Sequence, residues 1–238
     1  MRSPPTFSKW SALGNVYWLV DRADLPEPLT PERVRELCAG GASDGVLEVV
    51  ATSGDEAEIV IWNPDGSSAE LSGNGTRIAA RWLAERTGAT QVQISVGPRV
   101  VAARVIGDND VEQDLGDVEV YEPERVAGLD VTTVSVGNPH AVVRGDPDDL
   151  LLIGPLLETH PRFPERTNVQ VARLERPGRI VARVWERGAG ETPSSGTSAV
   201  AVAAALGQER ADVTFPGGTL HVRFEGRRAF LTGPAERV

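Results

Sequence analysis

Ser72 and Ser195 are each followed by glycine and then by small or apolar residues at helical spacing, in NPDGSSAELSGNGTRIAARWL (63–83) and ERGAGETPSSGTSAVAVAAAL (186–206). A Ser-Gly loop that opens a helix sets a hydroxyl beside backbone N–H groups lacking an intrahelical partner, at the positive end of the helix dipole. Such a place favours a carboxylate, a phosphate or a developing oxyanion. By itself the pattern is equally that of an ordinary capping loop. Its repetition adds weight. Asn15 lies 57 residues before Ser72 and Asn138 lies 57 before Ser195, while Asn63 and Glu186 each lie 9 before their serine. GPRVVAARV resembles GGTLHVRFE and DLGDVEV resembles LTGPAERV, so the chain reads as a duplication with an offset of 123 through its central part.

The elements that must carry these residues follow from pattern. NVYWLVD (15–21) is rich in β-formers and predicts a strand, and Thr30 to Cys38 predicts a helix with Thr30 as cap and Pro31 in its first turn. Strands at 46–52 and 58–62 suggest a hairpin turned by Ser53-Gly54-Asp55. From Thr76 the apolar positions Ile78, Ala79, Trp82 and Leu83 define one helix face, with Arg77, Arg81 and Glu85 on the opposite side. Strands at 92–96, 99–106 and 111–114 complete the first half. The second half repeats the plan: strands at 132–136 and 141–143 around a Gly-Asn-Pro-His turn, a helix at 148–158, strands at 169–174 and 180–185, the second Ser-Gly helix, and strands at 213–215, 220–224 and 229–231. The expected fold is α/β (α+β): two pseudo-symmetric domains, 1–122 and 123–238, each a mixed or antiparallel sheet wrapped around a central helix, with the last strand free to return to the first domain. Halves that face each other would bring both loops to one cleft.

Composition narrows the classes. At 238 residues with 40% hydrophobic and 24% charged residues the chain is globular in kind, with material for one or two cores. A net charge of -10 with no basic cluster argues against nucleic acid or an anionic membrane as partner. The single cysteine, Cys38, excludes an intramolecular disulfide and a cysteine-based metal cluster. No run approaches 18 apolar residues and MRSPPTFSKW lacks a signal-like apolar stretch, so a cytoplasmic location without membrane partner is expected.

The segments NPDGSSAELSGNGTR, SVGNPH, FPERTN, ERGAGETPSSGTS and LTGPAERV, in this order over nearly the whole chain, closely resemble the signatures of the diaminopimelate epimerase family. The resemblance implies a cofactor-independent, metal-free isomerase, homodimeric, that inverts one stereocentre of diaminopimelate in lysine and cell-wall biosynthesis by two-base proton transfer at Cα. Ser72 and Ser195 fall on the two acid/base positions. Substrate contacts fall on Asn15, Asn63, Gly73, Asn74, Asn138, Asn168, Glu186, Arg187, Gly196 and Thr197. The residue types suit an amino-acid ligand: asparagines offer donor and acceptor, Arg187 can pair with a carboxylate, and Glu186 can receive an ammonium. A turn role for Asn15 and Asn138, a surface ion pair of Glu186 with Arg187, and a capping role for Thr197 are the structural alternatives. His140 reads either as a hydrogen-bonded turn histidine or as a proton-transfer group.

The chain departs from the family pattern where the chemistry sits. The family has cysteine at both positions occupied here by Ser72 and Ser195. A thiol ionises near 8.5, whereas an alcohol lies closer to the ~15.7 of water, a difference of about 10 kcal/mol in forming the base. Ser198 stands where the family usually has glycine, and the loop from Ala39 to Gly45 is shorter than the family's arginine-containing version. Three readings follow: an epimerase scaffold, in its natural sequence or as a disabled double variant; a dehydratase or racemase of another amino acid on the same fold; and a non-catalytic amino-acid-binding protein.

Overall fold

The computed structural model describes residues 6–69 and 71–238. Two compact units are present, one formed by residues up to Gln113 with Gly233–Val238, the other by Asp114–Thr232.

In the first unit, β1 (Ser8–Ala12), β2 (Asn15–Asp21), α1 (Pro31–Cys38), β3 (Gly45–Ser53), β4 (Glu56–Trp62), β5 (Ser68–Ala69), α2 (Gly73–Thr87), β6 (Gln91–Val96), β7 (Arg99–Ile106) and the start of β8 (Asp110–Asp117), whose residues from Asp114 on belong to the second unit, follow in order. The second unit contributes β9 (Glu119–Val120), β10 (Glu124–Val126), β11 (Leu129–Ser135), β12 (Pro139–Arg144), α3 (Leu150–Glu158), β13 (Asn168–Arg176), β14 (Arg179–Glu186), β15 (Gly190–Thr192), α4 (Gly196–Ala205), β16 (Arg210–Phe215), β17 (Gly218–Glu225) and β18 (Arg228–Pro234). A last strand, β19 (Glu236–Arg237), pairs with β1.

The duplication is visible in the pairing. In the first unit β2 runs parallel to β3 and β4 parallel to β6; in the second β12 runs parallel to β13 and β14 parallel to β16. Parallel neighbours need a crossover, and α1, α2, α3 and α4 supply the four. Register is equivalent too: Tyr17 lies opposite Gly45 and His140 opposite Asn168, each pair 123 residues from its counterpart.

Both central helices are buried over their opening turns. Ile78, Ala79 and Leu83 of α2 pack on Leu19, Leu47, Ile59, Ile61 and Ile94, each large side chain contributing about 1.5–3 kcal/mol through burial. Residues 196–203 of α4 are all buried, which explains its mostly small, apolar sequence without a charged face. Thr30 caps α1 through Arg33 N, with Pro31 in the first turn, as the sequence indicates. Three expectations need correction. The strand β1 is absent from the pattern reading, α2 starts at Gly73 rather than Thr76 because Ser72 is its cap, and 147–149 form a 3-10 turn before α3 begins at Leu150.

Candidate active site

In the first unit Ser72 is the N-cap of α2, its backbone extended and its Oγ accepting from Gly75 N at 3.1 Å. The same oxygen lies 3.4 Å from the Tyr17 hydroxyl. Asn15 and Tyr17 alternate onto one face of β2, and both are buried, so Asn15 looks toward the same region. Gly73 and Asn74 form the first turn of α2, both buried. Asn63 is placed differently: its Nδ2 donates to Ser67 Oγ at 3.0 Å inside the tight turn after β4, and no hydrogen bond joins it to Ser72 among the described residues.

In the second unit a connected set of polar side chains surrounds the start of α4. Ser195 is the N-cap, buried, with no side-chain capping bond. Asn138 Nδ2 donates to Thr197 Oγ1 at 3.4 Å, and Asn138 Oδ1 receives His140 Nε2 at 2.9 Å. Asn168 opens β13 and spans two elements: its Nδ2 donates to Pro139 O at 3.0 Å, and its Oδ1 accepts from Arg187 N at 3.0 Å. Glu186 Oε1 accepts from Thr192 Oγ1 at 2.6 Å, while the exposed Arg187 side chain donates to Glu165 O at 3.4 Å. Gly196 is the first residue of α4.

His140 is fully buried on β12, in a strand rather than in the turn before it. The Gln170 amide donates from Nε2 to His140 Nδ1 and to Ser198 Oγ, both at 3.0 Å. With Nδ1 accepting, Nε2 carries the proton that goes to Asn138. Burial lowers the imidazole to about 3, opposed by the Gln170 bond and assisted by the Arg187 charge. His140 is therefore neutral near pH 7 with both nitrogens engaged, which makes it a brace for Asn138 and leaves no lone pair for taking a proton.

Among the described residues no group of three or more His, Cys, Asp or Glu is placed to hold a metal, and no helix is long and apolar enough to cross a membrane. A cleft of about 320 Å³ against Trp10, Asp21, Trp82 and Arg86 contains none of the candidate residues.

A sequence model of the diaminopimelate epimerase family matches residues 7–121 and 132–238. The chain belongs to this family. Similar relatives include the diaminopimelate epimerase of Synechocystis, 37% identical over 269 aligned residues covering 98% of this chain and 96% of the relative. Solved structures with the same fold include a Bacillus anthracis phenazine biosynthesis protein of the PhzF family, with a TM-score of 0.75 at 13% identity and coverage of 98% and 96% of the two chains. A hydroxyproline epimerase from Agrobacterium vitis, solved with bound trans-4-hydroxy-L-proline, gives a TM-score of 0.71 at 15% identity, covering 100% of this chain and 91% of that one.

Against the diaminopimelate epimerase pattern, the serine at 198 has a structural partner: its hydroxyl takes one Gln170 N–H. Sequence reasoning passed over Tyr17, Gln170 and Arg77. A glutamine between two valines in a strand buried on both faces was a usable signal for Gln170. Arg77 had none, because its spacing with Arg81 and Glu85 predicts a solvent face. The structure corrects this: Arg77 is fully buried, and only Arg81 and Glu85 form the outer ion pair.

Proposed function

We propose that this protein is an amino-acid epimerase acting on diaminopimelate, with hydroxyls in place of thiols at both proton-transfer positions. The observation that carries the reading is that the two equivalent serines of the repeat each cap the buried start of a helix, with Asn74 in the first turn of α2 and Asn138 bonded to Thr197 in the first turn of α4. In this reading the N–H groups of the first turn of α2 hold the carboxylate on the reacting carbon. They stabilise the charge it gains as the Cα proton leaves. Asn138 and Asn168 fix the ligand's amino and carboxylate groups, and Arg187 and Glu186 hold its far end. Removal and return of a proton at Cα need only a base and an acid, so no cofactor enters. A cytoplasmic location and a homodimer complete the proposal; the homodimer rests on the family alone.

The alcohols make the serine form a binder with slow chemistry. Neither is matched to a strong base: Tyr17 offers a hydroxyl, and His140 has both nitrogens occupied. Loss of the Cα proton signal of diaminopimelate in D2O, followed by NMR, tests this. The serine form should bind with little exchange, and Ser72→Cys with Ser195→Cys should exchange at least about a hundredfold faster. Each single change should do much less, since inversion needs a donor on the face opposite the base. No exchange in the double variant, despite measurable binding, would sink the epimerase reading in favour of a dehydratase or binding protein. Rapid epimerisation by the serine form would show a hydroxyl-based route.

A further inference from the structure

Arg77 is one of the largest fully buried side chains, and it sits in the opening turns of α2, where the helix dipole already concentrates positive charge. Among the described residues its donors reach only neutral groups: Asn74 Oδ1 at 2.6 Å, Gly73 O at 3.3 Å and Pro234 O at 3.5 Å. Arg77 forms no ion pair among the described residues. Burial lowers the guanidinium to about 10, with Tyr17 and Asp110 acting the other way, and it stays charged near neutrality. A desolvated cation beside the positive end of a helix is an unfavourable arrangement unless something negative is bound there.

The repeat supplies an internal control. The equivalent position on α4, 123 residues on, is Val200, fully buried in the same kind of helix. An aliphatic side chain therefore satisfies the packing at this place in the fold, and the arginine answers another demand. Its bonds show which one. The Gly73 carbonyl that receives Arg77 Nη1 belongs to the same peptide group as the Asn74 N–H, and a cationic donor on the carbonyl strengthens that N–H as a donor. Thr76 Oγ1 lies 3.3 Å from the same carbonyl, with its shorter bond to Ser72 O at 2.8 Å.

We propose that Arg77 is a positioning residue that orients and polarises the Gly73–Asn74 peptide, and places a full positive charge behind it, so that the first turn of α2 holds a carboxylate more strongly than a helix start without such a charge. It does not touch the ligand. The proposal rests on the reading that this turn receives an amino-acid carboxylate, and it assigns the charge that balances the second negative charge developing there as the Cα proton departs.

Calorimetric titration of the full-length serine protein and its variants with meso-diaminopimelate tests this, with 1,5-diaminopentane, which keeps both ammoniums and lacks both carboxylates, as control. The expected result is that Arg77→Met, with a native circular dichroism spectrum, raises the Kd for diaminopimelate by about tenfold or more, and that Arg77→Lys, which keeps the charge, restores binding to within about threefold. A purely structural role would lower the melting temperature of both variants without this rescue. Equal affinity of Arg77→Met and wild type overturns the proposal while leaving the epimerase reading intact. Wild type that binds no diaminopimelate, or binds 1,5-diaminopentane as well, overturns both. Should Arg77→Met fail to fold, Arg77→Lys decides alone: a tenfold loss with a native spectrum overturns the proposal, and retained affinity supports it.

Discussion

Position for position, 123 residues apart, the first half carries Tyr17, Gly45, Leu47, Gly75 and Arg77 where the second carries His140, Asn168, Gln170, Ser198 and Val200. Strand order, register and the capping serine are shared, but polarity is placed differently around the two helix starts. In the first half the charge lies within the helix's own opening turns, and Leu47 stands on the strand at the place equivalent to Gln170: a Cβ on Gly75 would already come within 3.0 Å of Leu47 Cδ2. In the second half that helix position is the aliphatic Val200, and a His140–Gln170–Ser198 chain runs from the strands to the helix. Opposite Tyr17, residue 45 has φ +158 and a Cβ there would overlap the Trp62 carbonyl and approach the Tyr17 ring to 2.9 Å, so glycine is required. Opposite the smaller His140, the same register position has room for Asn168 and its two tethers. One backbone plan thus supports two differently supported donor turns, one stiffened by a cation and the other by a neutral network.

The largest effect expected from this difference is on acid stability. His140 has an unfolded value of 6.5 and a folded one near 3, so between these limits the unfolded chain binds the extra proton and stability falls as pH drops. By pH 4.5 this costs about 2.5 kcal/mol relative to pH 7. Urea denaturation at the two pH values should show it, and His140→Gln should flatten that part of the acid limb. Identical acid limbs for the variant and wild type would mean the native imidazole titrates normally.

Giving the second half the first half's leucine at this place should cost somewhat less. Gln170→Leu removes the donor to His140 Nδ1 and Ser198 Oγ, and two buried groups losing a partner predict a loss of about 2 kcal/mol. Part of that price is offset by the Gln170 Oε1 atom, which has no hydrogen-bond partner to lose. Adding Ser198→Gly recreates the Leu–Gly pairing of the first half, and a double-mutant cycle should give a favourable coupling of about 0.5 kcal/mol or more. Strict additivity would argue that the network is not a unit.

The smallest effect separates the two serines themselves. Ser72→Ala removes a capping bond to Gly75 N and should destabilise by about 1 kcal/mol, whereas Ser195→Ala removes no capping bond and should cost under about 0.5 kcal/mol. Comparable losses in thermal melts would show that Ser195 also contributes to its helix.

The sequence by itself determined the repeat, the family, both Ser-Gly helix starts, the Thr30-Pro31 cap and most strands. These depend on local periodicity and on spacing that a duplication preserves. Only the tertiary structure decided what each polar side chain does. Asn63 is tied into its own turn, Asn138 and Asn168 are tethers linking separate elements, and His140 is a neutral brace because its surroundings are dry and both nitrogens are filled. Arg77 shows the reason most sharply. Along the chain it repeats every fourth residue with Arg81 and Glu85, a pattern that marks a solvent face; in the fold, the elements packed around the opening turns of α2 enclose it, and burial is a property of those distant partners.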